Sequence, residues 1–203
     1  MWEWISENSG LVQASMAAIT ALVWMVYLHI IVSGLRRQRR TEILIHLGGA
    51  RDLSARILVS NLGLEPLYVL EIMLTVWTAD GERMSSVADR TEIAKDQHES
   101  PRQATLQGAL KSGDHVDIGS VTDLLDRARH QSFDQIEPDD IRHLKVTVAA
   151  ITAADSHIAA AERRFSMRRD GDTLSLRPVN LAAQQIRSRH QRRKIETQMR
   201  KGL

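Results

Sequence analysis

The chain has 203 residues, no cysteine and a formal net charge of +2. The lack of cysteine excludes disulfides, thiol catalysis and Cys-ligated zinc. The small net charge hides an uneven distribution: −2 over residues 1–10, +4 over 36–40, −6 over 41–179 and +6 over 180–203. An acidic middle between basic segments excludes a uniformly basic globular surface, despite a calculated pI of about 9.2.

No charged side chain occurs from Leu11 to Leu35. As a helix this stretch measures about 37 Å, against roughly 30 Å for a bilayer hydrocarbon core, and it predicts one transmembrane helix. No basic residue precedes Arg36, and no small-x-small cleavage site follows the run. These features favour an uncleaved signal-anchor over a cleavable signal peptide. Arg36, Arg37, Arg39 and Arg40 flank one end, and Glu3 and Glu7 the other. The positive-inside rule then places residues 1–10 outside, as a short extracytoplasmic N-terminus. Everything beyond the basic juxtamembrane segment 36–42 is expected in the cytoplasm, at the cell membrane. Trp2 and Trp4 are expected at the outer interface, indole N–H in water and ring in lipid. His29 within the run reads as a neutral imidazole near the headgroups, or one bonded to a partner helix, before a proton relay.

Period-two alternation dominates residues 43–179, the expected soluble domain. Strands are predicted over Ile43–Leu47, Arg56–Ser60 and Leu67–Thr78. Asn61-Leu62-Gly63 supplies turn chemistry between the last two, with Pro66 ending ladder donation. Asp80-Gly81 is a hairpin signal, because both residues tolerate positive φ. Residues 82–103 are polar and read as loop or edge. Ala104–Leu110 and His115–Ile118 are short strand candidates. Ser120–Gln131 switches to helical spacing, with Val121, Leu124, Leu125 and Ala128 on one face and Ser120 and Asp123 placed to cap its start. Leu144–Ile151 returns to alternation, and Ala154-Asp155-Ser156 reads as a turn. His157–Arg169 is ambiguous, with an Ala-rich start compatible with helix and an alternating end. Asp170-Gly171 marks a hairpin into Thr173–Leu176.

These elements predict a mainly β protein: an antiparallel sandwich of immunoglobulin-like type with one inserted helix, behind the N-terminal transmembrane helix. The strand, Asn-x-Gly, Pro, strand passage at 57–76 resembles one common in membrane-anchored bacterial β-sandwich proteins. The resemblance implies an architecture and reaches no further than those residues. Trp77 is expected in the core.

Motifs for chemistry are sparse. Gly48-Gly49 lacks the spacing and the Lys-Ser/Thr of a phosphate-binding loop, and neither Gly-x-Ser-x-Gly nor His-Glu-x-x-His occurs. No catalytic residue and no cofactor site is assigned. The best local metal candidate is Gly113-Asp114-His115-Val116-Asp117, where His115 and Asp117 would share one side of a strand. A site would need a further ligand, from His98, Glu99 or His157. Glu137-Pro138-Asp139-Asp140 and the acids Asp89, Glu92, Asp96 and Glu99 read as solvated loops.

Residues 180–203 form a basic tail, helical or disordered. On a helical wheel Leu181, Ile195, Met199 and Leu203 gather on one side. Arg187, Arg189, Arg192, Arg193, Lys194, Arg200 and Lys201 spread around the rest. Such a segment suits anionic lipid, where each Lys/Arg near the surface adds about 1 kcal/mol. The same charge would serve nucleic acid, but the tail has no aromatic residue to stack on bases. The expectation is a non-enzymatic interaction or scaffolding module whose partners are the bilayer and another protein. The alternatives are a membrane-tethered enzyme or ligand- or metal-sensing domain, and a nucleic-acid-binding tail.

Overall fold

A computed structural model describes residues 8–38, 41–90, 104–131, 133, 136–152, 155–171 and 173–202. The chain divides into two compact units, Met1–Arg40 and Thr41–Leu203.

The first unit is one helix, α1 (Ser9–Gln38). A core helix of a globular domain buries one stripe. Here none of the apolar span is buried, and Trp24, Met25 and Leu28 are all exposed. Two hydroxyls within the apolar run are satisfied inside the helix. Ser15 donates to the Leu11 carbonyl and Thr20 to the Met16 carbonyl, each at 2.8 Å. Internal satisfaction of this kind is what a lipid environment requires of polar groups. α1 is an N-terminal apolar helix of membrane-span length.

The second unit is mainly β. Its strands are β1 (Ile43–Gly48), β2 (Arg56–Asn61), β3 (Leu67–Thr78), β4 (Gly81–Ser86), β5 (Gly108–Leu110), β6 (His115–Ser120), β7 (His143–Thr152), β8 (Asp155–Asp170), β9 (Thr173–Pro178) and β10 (Gln184–Ile186). Helix α2 (Val121–Gln131) follows β6, and α3 (Arg189–Gly202) follows β10. The smaller sheet has the order β1-β2-β6, and the larger has β10-β8-β7-β3-β4. All pairings are antiparallel. Two long strands each serve two short neighbours along one edge. β3 pairs with β5 through Leu67–Val69 and with β4 through Met73–Thr78. β8 pairs with β9 through Phe165–Asp170 and with β10 through Ala160–Glu162.

Both sheets contribute to one apolar core. Ile45, Ile57, Val59 and Ile118 come from the smaller sheet; Ile72, Leu74, Val146, Val148 and Phe165 come from the larger. α2 adds Val121, Leu124, Leu125 and Ala128, the face expected from its spacing. Its start is a reciprocal cap: Asp123 N–H donates to Ser120 Oγ at 3.1 Å, and Ser120 N–H to Asp123 Oδ2 at 2.8 Å. Arg127 on the same helix is fully buried, with Nη1 donating to the carbonyls of Ile118 (2.8 Å) and Val87 (3.3 Å). Its guanidinium crowds Gly119, where φ is +109° and an added Cβ would meet Arg127 Nη2 at 3.0 Å. Only glycine suits that position.

A bulge in β3 sets which side chains enter the core. Val69 pairs with Ala150 and Glu71 with Ala149, so Leu70 is an extra residue. Before it Leu67 and Val69 point inward; after it Ile72, Leu74 and Val76 do. Trp77 consequently leaves the core, contrary to the expectation from uninterrupted alternation, and is half-buried on the opposite face.

Three other expectations are sharpened or changed. Residues 82–86, expected as loop or edge, form β4 at the edge of the larger sheet, because the Asp80-Gly81 hairpin returns the chain along β3. The Ala-rich start of 157–169 is strand, not helix. Ala160 and Ala161 are small enough to be buried on opposite faces of β8 while β7 and β10 supply backbone partners. The tail starts as strand: β10 takes the edge of β8 that β9 leaves free, and the helix starts only at Arg189. Ala154 lies outside the described residues, and Asp155 already pairs with Thr152.

Phe165 is fully buried where β8 faces the smaller sheet. Phe165→Ala is expected to destabilise the body by about 3–5 kcal/mol, read as a lowered urea midpoint with unchanged α1 helicity.

Candidate functional site

The metal candidate does not assemble. His115 pairs with Ser60, and Asp117 with Leu58 across the smaller sheet. His115 is exposed. Asp117 is engaged by an ion pair with the Arg56 guanidinium and by the Gly119 N–H at 2.9 Å. Burial pushes its carboxyl up, but these hydrogen bonds and the charges of Arg56 and Arg90 outweigh that and hold it below the usual carboxylate range. His157 is in the larger sheet, and His98 and Glu99 lie outside the described residues. Among the described residues no three His, Asp or Glu side chains gather as a metal site.

The acidic turn at Pro138–Asp140 is one 3-10 turn. Asp139 pairs with Arg169 at 3.0 Å and Glu137 with Arg129 at 3.4 Å, all at the surface. Asp89 makes an isolated bridge to Thr105, while Glu92 and Asp96 lie outside the described residues.

The basic tail is ordered by a local cap and by a long-range apolar contact. Ser188 caps α3 in a reciprocal box. Gln191 N–H donates to Ser188 Oγ at 3.3 Å, and Ser188 Oγ–H donates to Gln191 Oε1 at 2.9 Å. This Ser-x-x-Gln spacing was the available sequence signal for the helix start. The apolar side of α3 then seats on the outer face of the larger sheet. Ile195 and Met199 pack with Met73, Ala149, Ala160 and Ile186. Leu181, expected on that stripe, is fully exposed, because residues before β10 are not helical. Leu203 lies outside the described residues.

With its apolar side engaged, α3 turns Arg189, Arg193, Lys194 and Arg200 to solvent. Among the described residues, none of these four has a carboxylate within ion-pair distance. Arg192 is half-buried and donates to the Ile186 carbonyl at 3.3 Å. Arg187 pairs with Glu42 at 3.1 Å. Lys201 lies on the last turn of α3, and Arg36 and Arg37 on the last turns of α1. Trp2, Trp4, Arg39 and Arg40 lie outside the described residues.

The same outer face holds a feature the sequence reading missed. The bulge brings Trp77 beside two cations: Lys145 Nζ and the Arg164 guanidinium each lie 5.5 Å from its ring centre. Glu162 links them, at 3.4 Å from Lys145 and 3.8 Å from Arg164. The outer face thus presents a cation-flanked indole on the sheet that seats the basic helix.

Glu71 lies at the bulge. Its Oε1 accepts from Ser86 Oγ–H at 2.7 Å and Ile72 N–H at 3.0 Å. Burial pushes its carboxyl above the usual glutamate range, against those hydrogen bonds and with help from the charge of Asp89.

Comparison with family models, with curated proteins and with solved structures gives no match to this chain.

A glutamate with a raised folded pKa favours the folded state below its unfolded pKa, and that contribution is lost as pH rises through the folded value. Glu71→Gln keeps an Oε1 acceptor for both donors and removes the buried charge. The variant is expected to melt higher than the parent at pH 7, and the gap is expected to close as pH falls into the glutamate range. Thermal melts across that window check it.

Proposed function

We propose that this chain is a single-pass membrane protein whose cytoplasmic body is a non-enzymatic interaction module, with its basic segments against anionic lipid. On this reading α1 is retained as the anchor, with residues 1–10 outside and the Arg cluster on the cytoplasmic side. The body reads as an immunoglobulin-like sandwich. Strands β1, β2 and β6 form one sheet and β8, β7, β3 and β4 run in order through the other. That arrangement corresponds to strands A, B and E against G, F, C and C′.

The observation that carries the lipid-contact reading is the cationic face of α3, left without carboxylate partners among the described residues while its apolar side is occupied. An amphipathic helix free to enter lipid would keep its apolar side available. α3 instead offers charge alone, which suits attraction to a surface and falls away with salt. The outer face of the larger sheet, with Trp77 beside Lys145 and Arg164, is the proposed protein-binding surface. A cation-flanked indole there suits a partner that brings both apolar and acidic groups.

The chain has no cysteine, so one introduced thiol gives one label. Thr197 is exposed one turn from Arg193. In full-length protein reconstituted in nanodiscs, a spin label at Thr197→Cys is expected to lose access to an aqueous relaxant when anionic lipid replaces neutral lipid. High salt or the triple change Arg193→Glu, Lys194→Glu, Arg200→Glu is expected to restore access. An accessible label in anionic discs rejects the lipid contact. Digestion of the body from outside intact cells rejects the topology.

A further inference from the structure

Large apolar side chains are exposed at five described positions of the body: Leu62, Leu64, Tyr68, Val179 and Leu181. Three of them belong to the β2–β3 loop and the first turn of β3, where relative exposure is 57% for Leu62, 64% for Leu64 and 47% for Tyr68. They alternate with buried Asn61, Gly63 and Leu67.

The loop is held in this form by Asn61, which is fully buried. Its Nδ2 donates to the carbonyls of Glu65 at 2.8 Å and Leu110 at 3.2 Å, and its Oδ1 accepts from Gly63 N–H at 2.9 Å. Its backbone N–H donates to the Asp114 carbonyl at 3.0 Å, and its carbonyl accepts from Gly113 N–H at 2.8 Å. Every polar group of Asn61 is thereby used to build two adjoining loops. The leucines are held outward by a rigid frame instead of folding back onto the core.

The frame sits at the end of the body where the chain enters. Leu62 N–H donates to the Glu42 carbonyl at 2.9 Å. Gln185 clamps the next residue, its Oε1 accepting from Ile43 N–H at 3.2 Å and its Nε2 donating to the Ile43 carbonyl at 2.7 Å. Glu42 is four residues beyond Gln38, the last residue of α1, and a chain spans at most about 3.6 Å per residue, so the covalent link is no longer than about 14 Å. That link contains Arg39 and Arg40, next to Arg36 and Arg37 on the helix. Around the loop the exposed cations Lys111 and Arg187 stand against three acids, Glu42, Glu65 and Asp114. In sequence, the two arginines of the link outnumber the one acid left over.

We propose that Leu62, Leu64 and Tyr68 dip into the interfacial layer of the bilayer that holds α1, so that the body stands on the membrane by this loop. The proposal rests on the anchor reading of α1. Two leucines and a tyrosine on a body that follows an arginine-rich stretch in sequence match the layer where acyl chains meet anionic headgroups: apolar groups enter, the phenol stays at the boundary, and guanidinium groups meet phosphate. The β3–β4 hairpin lies at the other end of β3, on the order of 35 Å away, and stays in water.

The test uses full-length protein in nanodiscs containing anionic lipid, with one environment-sensitive fluorophore at Leu64→Cys or, as control, at Glu82→Cys beside the far hairpin. The Leu64→Cys label is expected to shift to the blue, lose quenching by aqueous iodide and gain quenching by lipids carrying a nitroxide near the glycerol backbone. The Glu82→Cys label is expected to show none of these changes. A Leu64→Cys label that stays iodide-quenched while the protein elutes with the discs overturns the proposal and leaves the anchor intact. A label shielded from iodide but untouched by lipid nitroxides overturns it in favour of contact between two copies. Protein that does not elute with the discs overturns the anchor reading and the proposal with it. Leu62→Asp with Leu64→Asp should abolish the nitroxide quenching of a label at Tyr68→Cys. Unchanged circular dichroism shows that the frame survives, and persistent quenching in that variant overturns the proposal.

Discussion

β3 runs through the larger sheet with one residue more than its neighbour β7 needs, and that residue, Leu70, decides what each face of the body presents. Strand side chains alternate with a period of two, so one inserted residue transfers every later side chain to the opposite face. Ile72, Leu74 and Val76 thereby meet the smaller sheet. Met73 is released to hold α3, and Trp77 to stand beside Lys145 and Arg164. Without the bulge, the strand would place Glu71 and Trp77 in the core and expose the isoleucine and leucine that now fill it.

The body has two surfaces with different chemistry. The outer face of the larger sheet gathers charge, partly paired through Glu162 and partly, on α3, without carboxylate partners among the described residues. The chain-entry end instead shows apolar side chains on a loop stiffened by Asn61. On the proposed reading these surfaces divide the work. The loop and the juxtamembrane arginines set the stance of the body, α3 adds long-range attraction, and the indole face remains for a partner. Electrostatic attraction fades over about 8–10 Å at moderate salt, whereas apolar insertion does not depend on ionic strength in this way. Salt therefore acts on these two contacts differently.

Much of the fold was legible locally. α1 shows in composition alone, because a long uncharged run needs no context to be recognised. β1, β2, β3 and β7 show in period-two alternation, and α2 in its spacing and its Ser120–Asp123 cap. β4 was hidden because its sequence, Gly81–Ser86, is polar and its strand state comes from pairing with β3. β10 was hidden for the same reason, being three residues held by the edge of β8. Of the candidate site, the basic residues of α3 were legible as charge. Which of them face solvent depends on where Ile195 and Met199 find an apolar surface.

By itself the sequence determined the apolar N-terminal helix, the β-rich body and the basic segments on either side of it, since composition and periodicity act over neighbouring residues. Tertiary structure alone decided the rest: the parity switch at Leu70, the seat of α3, the exposure of Leu62 and Leu64, and the placing of His115 and Asp117 in one sheet and His157 in the other. Each of these depends on backbone pairing or packing between residues far apart in the chain. A side chain's partner across a sheet is set by register, and register is a property of two strands together.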